Sequence, residues 1–176
     1  MKHIVFFTGN RSEYGLLLPI IEELATWKEF KMSLIISGSH YWNEYGMTVD
    51  DIDKRYFMDV YGVRVNKCSS KIQDKLQQRL MFAKIMIDGG RILDEIDPDC
   101  LFLAGDRYET LAMAVTAFYG NRPIVHLFGG DLSQGGHLDD SARHALTKLA
   151  HIHFVTCEDS QLRVLALGEE VWRVHL

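Results

Sequence analysis

The segment LAGDRYET, Leu103 to Thr110, joins the end of an apolar run to the start of a helical pattern, and so gathers Asp106, Arg107 and Glu109 at one rim. Further along, PIVHLFGGD repeats the design: an apolar strand empties into Gly129 and Gly130 and ends on Asp131. The next helical stretch, in DDSARHALTKLAHIHFV, follows Asp139 and Asp140 and carries Arg143 and His144. Carboxylates at such a rim can move protons, and a planar guanidinium can grip phosphate oxygens with two donors at once. Charged chemistry in this chain sits at strand ends rather than along faces.

Each of these groups also has a plainer reading. Asp106 and Glu109 have the spacing of a capping box, in which each side chain satisfies backbone donors at a helix start. Asp139 or Asp140 can cap SARHALTKLA, and Asp139 with Arg143 or Asp140 with His144 are spaced as surface pairs. In TGNRSEYG, Gly9 permits a tight turn and the free N–H groups of the following helix favour an anion beside Arg11. That loop is neither a Walker A sequence nor GxGxxG, so an ordinary turn with a solvated arginine fits it equally. His126, His137, His144, His151 and His153 raise a metal hypothesis, but zinc-finger or HExxH spacing is missing, and hydrogen-bonded imidazoles with no metal are expected.

A scaffold has to hold these loops together. The chain has 176 residues, 47% of them hydrophobic and 24% charged, which suits one globular α/β domain with a proper core and argues against disorder. Its formal charge of -5 offers no general attraction to nucleic acid or to an anionic membrane, so a phosphate ligand has to be held locally, by Arg11, Arg107 or Arg143. Cys68, Cys100 and Cys157 are widely spaced and form no CxxC pair, as expected of reduced, buried thiols in a cytoplasmic protein. The opening MKHIVFFTGNR has an apolar run too short for a signal peptide or a membrane span, and reads as the first strand.

Short β-rich apolar runs alternate with segments of helical period: HIVFFT, LLLPIIEELATW, MSLIIS, then DCLFLA, YETLAMAVTAFYG, PIVHLF, SARHALTKLA, HIHFVT and EDSQLRVLALG. The strands are continuously apolar, so both faces are covered, and the expected fold class is α/β, doubly wound around a mostly parallel sheet. Pro19 argues that the first regular helix starts only near Leu16 to Leu18. From Ser70 to Ile96 helical spacing predicts one long helix or two, with Gly89 and Gly90 a break and Asp97 and Pro98 the end. A short helix near Thr48 to Lys54 and a strand near Phe57 to Val60 are expected in the aromatic, charged stretch between. Nothing divides the chain into two domains. In such a sheet the loops TGNRSEYG, SGSHYW, AGDRYE, FGGDLSQGGHLDD and TCED all lie beyond the carboxyl ends of strands, where one pocket can use all five.

Taken in order, TGNRSEYGLL, SGSH, GDRYET, the H-x-x-GG-acid turn, DDSARHALTKLAHIHFV and LGE resemble the hydrolysing UDP-N-acetylglucosamine 2-epimerases of sialic acid and related nonulosonate biosynthesis. The resemblance runs through nearly the whole chain and is most specific from Gly105 to Phe154. It implies the Rossmann-like N-terminal half of a glycosyltransferase B type fold, with a nucleotide sugar between two halves and neither metal nor cofactor. Such enzymes continue past LGEEVWRVHL into a domain that supplies most uridine and diphosphate contacts, so activity is expected to need that second half.

In the enzymes it resembles, UDP leaves C1 while a proton leaves C2, and water then adds to the resulting glycal with inversion at C2. The resemblance makes Asp106 and Asp131, with Asp140 or Asp139 as the third carboxylate, candidates for acid–base work or for stabilising ring charge. It places Arg11 on the phosphate side, beside Arg107, Glu109, Gly129 and Gly130. Arg143 and His144 would orient the carboxylates or the diphosphate. The expected partner is a UDP-2-acetamido sugar, with a homo-oligomer plausible. Phe128 departs from the pattern, standing where relatives often carry a carboxylate or histidine, and the loop from Leu132 to Leu138 is about one residue longer than usual. The alternatives are a non-catalytic nucleotide-sugar module, and a non-hydrolysing epimerase or glycosyltransferase of the same fold.

Overall fold

The computed structural model describes residues 1–65, 74–133 and 138–176. Its centre is β1 (Lys2–Thr8), paired in parallel with β2 (Phe30–Ile36) on one side and β4 (Cys100–Ala104) on the other. β3 (Asp59–Gly62) flanks β2, while β5 (Ile124–Leu127), β6 (Ile152–Phe154) and β7 (Val174–His175) extend the other side. The order is β3-β2-β1-β4-β5-β6-β7, and every pairing is parallel. Winding reverses between β1 and β4, so their crossovers leave the sheet in opposite directions and open a crevice at the carboxyl ends.

Alternation along β1 shows why its run is apolar throughout. Ile4 and Phe6 join Leu17, Ile21, Leu34 and Ile36 in a core under α1 (Arg11–Ala25). Val5 and Phe7 point the opposite way, into a second core with Ile35, Leu101, Leu103 and Met113. Successive strand side chains face opposite sides, so a two-faced core needs apolar residues at every position. The second core is roofed by α2 (Asp74–Lys84), a π-helical turn over Ile85–Gly89, α3 (Gly90–Ile96) and α4 (Tyr108–Tyr119). Gly89 and Gly90 therefore do not break the helical run. A Cβ on Gly89 would lie 2.7 Å from Met113 Cε, so this glycine serves the close approach of α4. Asp97, at φ +48°, ends the run as expected. The expected start of that helix, at Ser70, lies outside the described residues.

α1 begins at Arg11, well before the start that Pro19 suggested. The Asn10 side chain accepts from Glu13 N at 3.0 Å and fixes the first turn. Pro19 and the residue whose bond it forfeits, Gly15, are both exposed, so the freed carbonyl faces water and the helix continues. The expected helix at 48–54 is two short 3₁₀ turns, Thr48–Asp51 and Lys54–Tyr56, and the strand after it is displaced to Asp59–Gly62, where it meets β2. β7 lies in a stretch where no strand was expected. α5 (Leu138–Leu149) starts early enough to take Asp139 and Asp140 into its first turn, and α6 (Glu158–Ala166) follows β6. Among the described residues no helix is long and apolar enough to cross a membrane.

Candidate active site

Five crossovers meet at the carboxyl rim, and one buried guanidinium joins three acidic residues there. Arg143, 8% exposed on α5, donates to the carboxylate of Asp106 after β4 and to the backbone carbonyl of Asp131 after β5. It reaches Asp140 Oδ1 at 3.4 Å, three residues back on its own helix. Asp140 also accepts from Ser133 N at 2.8 Å, and that bond, more than the nearby arginine, holds its carboxyl below the usual carboxylate range. Asp106, Asp131 and the Asp140–Arg143 pair, from three separate stretches of the chain, are thus brought together. Arg143 Nε is buried with no hydrogen-bond partner.

Asp106 does not act as a helix cap. Arg107 occupies the cap position of α4 without a side-chain bond, and the capping-box spacing is used otherwise. Glu109 turns inward to 0% exposure and accepts from Arg107 at 3.2 and 3.4 Å, so it stands behind the rim rather than on it. The Asp131 carboxylate accepts from Thr156 Oγ1 at 2.6 Å and from Ser160 Oγ at 2.5 Å. Gly129 and Gly130 are both buried. A Cβ on Gly129 would come within 3.2 Å of His126 and Thr147, and Gly130 has φ +79°. Phe128 is half-buried at φ +69°, an uncommon conformation for an aromatic residue.

Arg11 is exposed at the start of α1 and lines a groove of about 590 Å³ with Asn10, Ser12, Trp42, Tyr45 and Arg107. Asn10 Nδ2 is buried there without a partner. Arg11 therefore belongs to the same rim but bonds to none of the three aspartates. Burial would lower the basicity of Arg107, yet the charge and hydrogen bonds of Glu109 outweigh this and raise it. Guanidinium groups, an orphan amide and the positive end of a long helix suit an anion.

Behind the groove lies a residue the sequence reading overlooked. Glu13 is 4% exposed; its Oε2 accepts from Gly9 N at 2.6 Å and its Oε1 from Thr110 Oγ1 at 3.1 Å. Burial pushes its carboxyl up to about 7, with the neighbouring Glu109 adding to the effect. The Asn-x-x-Glu spacing of residues 10 to 13 is the signal that could have found it. Gly38, at φ +61°, packs on this turn so closely that a Cβ would lie 2.2 Å from the Gly9 carbonyl oxygen.

Asp139 and His144 flank the Asp140–Arg143 pair on α5. Asp139 is half-buried in the first turn of α5, outside the described contacts of Arg143. His144 has a buried, unpartnered Nδ1 and no described hydrogen bond to the carboxylates. His126 Nε2 bonds the Gly105 carbonyl at 2.8 Å, and burial drives its basicity down to about 4. His151 accepts from Ile124 N at 3.1 Å and His153 pairs with Glu169 at 3.2 Å, so these imidazoles serve the fold. His137 and Cys68 lie outside the described residues; of the other thiols expected to be buried, Cys100 is half-buried and Cys157 is exposed. Among those described, no group of histidine, cysteine and acidic side chains has a metal-binding arrangement.

Residues 22–176 match the family model described as UDP-N-acetylglucosamine 2-epimerase. A UDP-N-acetylglucosamine 2-epimerase of Neisseria meningitidis serogroup B is 32% identical over 176 residues, covering 100% of this chain and 45% of the relative. A UDP-N,N'-diacetylbacillosamine 2-epimerase (hydrolyzing) of Legionella pneumophila is 31% identical over 170 residues, covering 97% of this chain and 44% of that protein. The chain thus spans a little under half the length of these curated relatives, and it corresponds to their N-terminal half. A crystal structure of UDP-GlcNAc 2-epimerase from Neisseria meningitidis bound to UDP-GlcNAc superposes with a TM-score of 0.82 at 22% identity, over 100% of this chain and 46% of that one. The fold is accordingly that of one half of a glycosyltransferase B type protein. By sequence match over most of its length, this chain belongs to the UDP-N-acetylglucosamine 2-epimerase family.

Proposed function

We propose that these residues form a single Rossmann-like domain, the N-terminal half of a hydrolysing 2-epimerase that acts on a UDP-2-acetamido sugar. The observation that carries the reading is the convergence of Asp106, Asp131 and Asp140 on Arg143, at the rim that also holds the Arg11 groove. The hydrolysing character of the Legionella relative supports the finer assignment.

The C2 proton of the sugar is weakly acidic, and becomes removable only as the C1–O bond to UDP stretches and positive charge grows on the ring. One carboxylate takes that proton while the bonding pair leaves with the UDP oxygen, giving a glycal and free UDP. Water then adds its hydroxyl to C1, and a proton returns to the opposite face of C2. The sum is one UDP-sugar and one water converted to UDP and the free, inverted sugar. Asp131, whose carboxylate is outside the ion pairs of Arg143, is assigned to proton transfer at C2. Asp106 and Asp140, paired with Arg143, are assigned to steadying the ring charge. Arg11 and Arg107 bind the diphosphate, and the other half of the enzyme completes the uridine site.

The test supplies this chain with the C-terminal half of the Neisseria relative and UDP-N-acetylglucosamine, and follows free UDP and free N-acetylmannosamine. Both should form in equal amounts, and in heavy water the product should carry deuterium at C2. Inverted sugar still linked to UDP would mean the non-hydrolysing reaction. A second reading is a non-catalytic nucleotide-sugar module, for which binding without UDP release is the mark. Phe128, bulky and half-buried, is assigned to the wall facing the sugar. Preferential use of UDP-N,N'-diacetylbacillosamine over UDP-N-acetylglucosamine would support that assignment, and equal use of both would remove it.

A further inference from the structure

Two hydroxyls to which this reaction scheme gives no role converge on one carboxylate oxygen. Thr156, in the loop after β6, and Ser160, in the first turn of α6, both donate to Oδ1 of Asp131. The surroundings bring them there. The N–H of Phe128 donates to the Phe154 carbonyl at 2.9 Å, and Arg163 donates to the Gly130 carbonyl at 2.9 Å. Gly130 lies so close to α6 that a Cβ would sit 2.2 Å from the Ser160 carbonyl oxygen. Backbone links and close packing already seat the turn on α6.

The hydroxyls therefore do something the seat does not require: they fix the rotation of the Asp131 carboxylate. Both bonds fall on Oδ1, and no described residue donates to Oδ2. An oxygen that accepts two short hydrogen bonds is a poorer base than its unencumbered sibling, because the bonds stabilise its charge.

We propose that Thr156 and Ser160 are positioning residues that occupy Oδ1 of Asp131 and so present Oδ2 as the atom that exchanges a proton with the sugar. The proposal rests on the epimerase reading of Asp131. It makes the start of α6 part of the catalytic apparatus without contact to substrate.

Ser160→Ala, Thr156→Val and the double variant test it, with Ser160→Thr as the conservative rescue. In the assembled enzyme each single removal should lower kcat about tenfold and the pair about a hundredfold at unchanged KM, as expected when a reacting group loses its orientation. The acid limb of the pH–rate profile should move, and Ser160→Thr should recover most of the rate. Thr156 is exposed, so Thr156→Val guards against loss of folding in the Ser160 variants. Unchanged kcat, or a loss confined to KM, would overturn the proposal. A parent assembly that releases no UDP would instead overturn the epimerase reading. In the 176-residue chain alone, the carboxyl carbon resonance of Asp131 should shift in the double variant while those of Asp106 and Asp140 stay in place. A stationary Asp131 signal would refute the positioning role irrespective of turnover.

Discussion

Replacing Glu13 with Gln should leave stability unchanged at acid pH and raise it increasingly across the neutral range. Folding raises this carboxyl from 4.5 to about 7, mainly by burial. Below the lower value both folded and unfolded chains hold the proton, and the folded state carries no penalty. Between the two values the unfolded chain ionises first, so stability drains away as pH rises and levels off above about 7. The full gap corresponds to about 3 kcal/mol, at about 1.4 kcal/mol per pH unit. Glutamine cannot ionise, yet its carbonyl can still accept from Gly9 N while its amide faces the Thr110 hydroxyl, the two partners Glu13 has now. The variant should therefore match the parent near pH 5 and exceed it by up to about 3 kcal/mol at pH 8. Urea unfolding followed by tryptophan fluorescence from pH 5 to 8.5 measures this directly, and other titrating groups cancel in the difference between the two proteins. Parallel stability curves, or a gap that opens toward acid, would show that Glu13 is not buried as a neutral group.

Other expectations follow from the same geometry. Asp106→Asn keeps an acceptor for Arg143, so the chain should fold while turnover of the assembled enzyme falls by orders of magnitude; near-normal rates would reduce Asp106 to a loop anchor. Gly38→Ala puts a Cβ at φ +61° and 2.2 Å from the Gly9 carbonyl oxygen, and should cost at least about 2 kcal/mol by chemical denaturation; a neutral result would mean the two turns separate easily. Burial depresses His40 and His126 from 6.5 to about 4, so their contribution is complete above 6.5 and is lost as pH falls toward 4. His126→Gln should flatten that acid limb, and an unchanged slope below pH 6.5 would contradict the assignment.

Much of the scaffold was legible because covered strands must be apolar at every position. HIVFFT and DCLFLA could be read as strands covered on both faces, and their alternation with helical segments pointed to a doubly wound sheet. The misreadings came from single residues weighed against context. Pro19 suggested a late helix start, but Asn10 supplies the cap and solvent accepts the carbonyl that proline leaves free. β7 has only two residues and borrows its order from β6, so no periodicity could announce it. At the rim, Asp106, Asp131 and Asp140 stood out as carboxylates at the ends of elements. Their common partner Arg143 could be seen as a charge on the right helix, and its described local pair is with Asp140. Glu109 was misplaced because a glutamate in the first turn of a helix is usually solvated, and here it is buried while keeping its pair with Arg107. Thr156 and Ser160 gave no signal, since a hydroxyl acquires a role only from what lies opposite it.

The packing of Gly38 on Gly9 has a consequence for how such a rim can diversify. The first two crossovers meet at Gly9 and Gly38 backbone to backbone, with Glu109 pressed against both glycines. Neither loop can gain a side chain at that point, lengthen or change its path without displacing the other. Room for variation in ligand preference therefore lies outward, at Trp42, Tyr45 and the residues beyond the glycine pair.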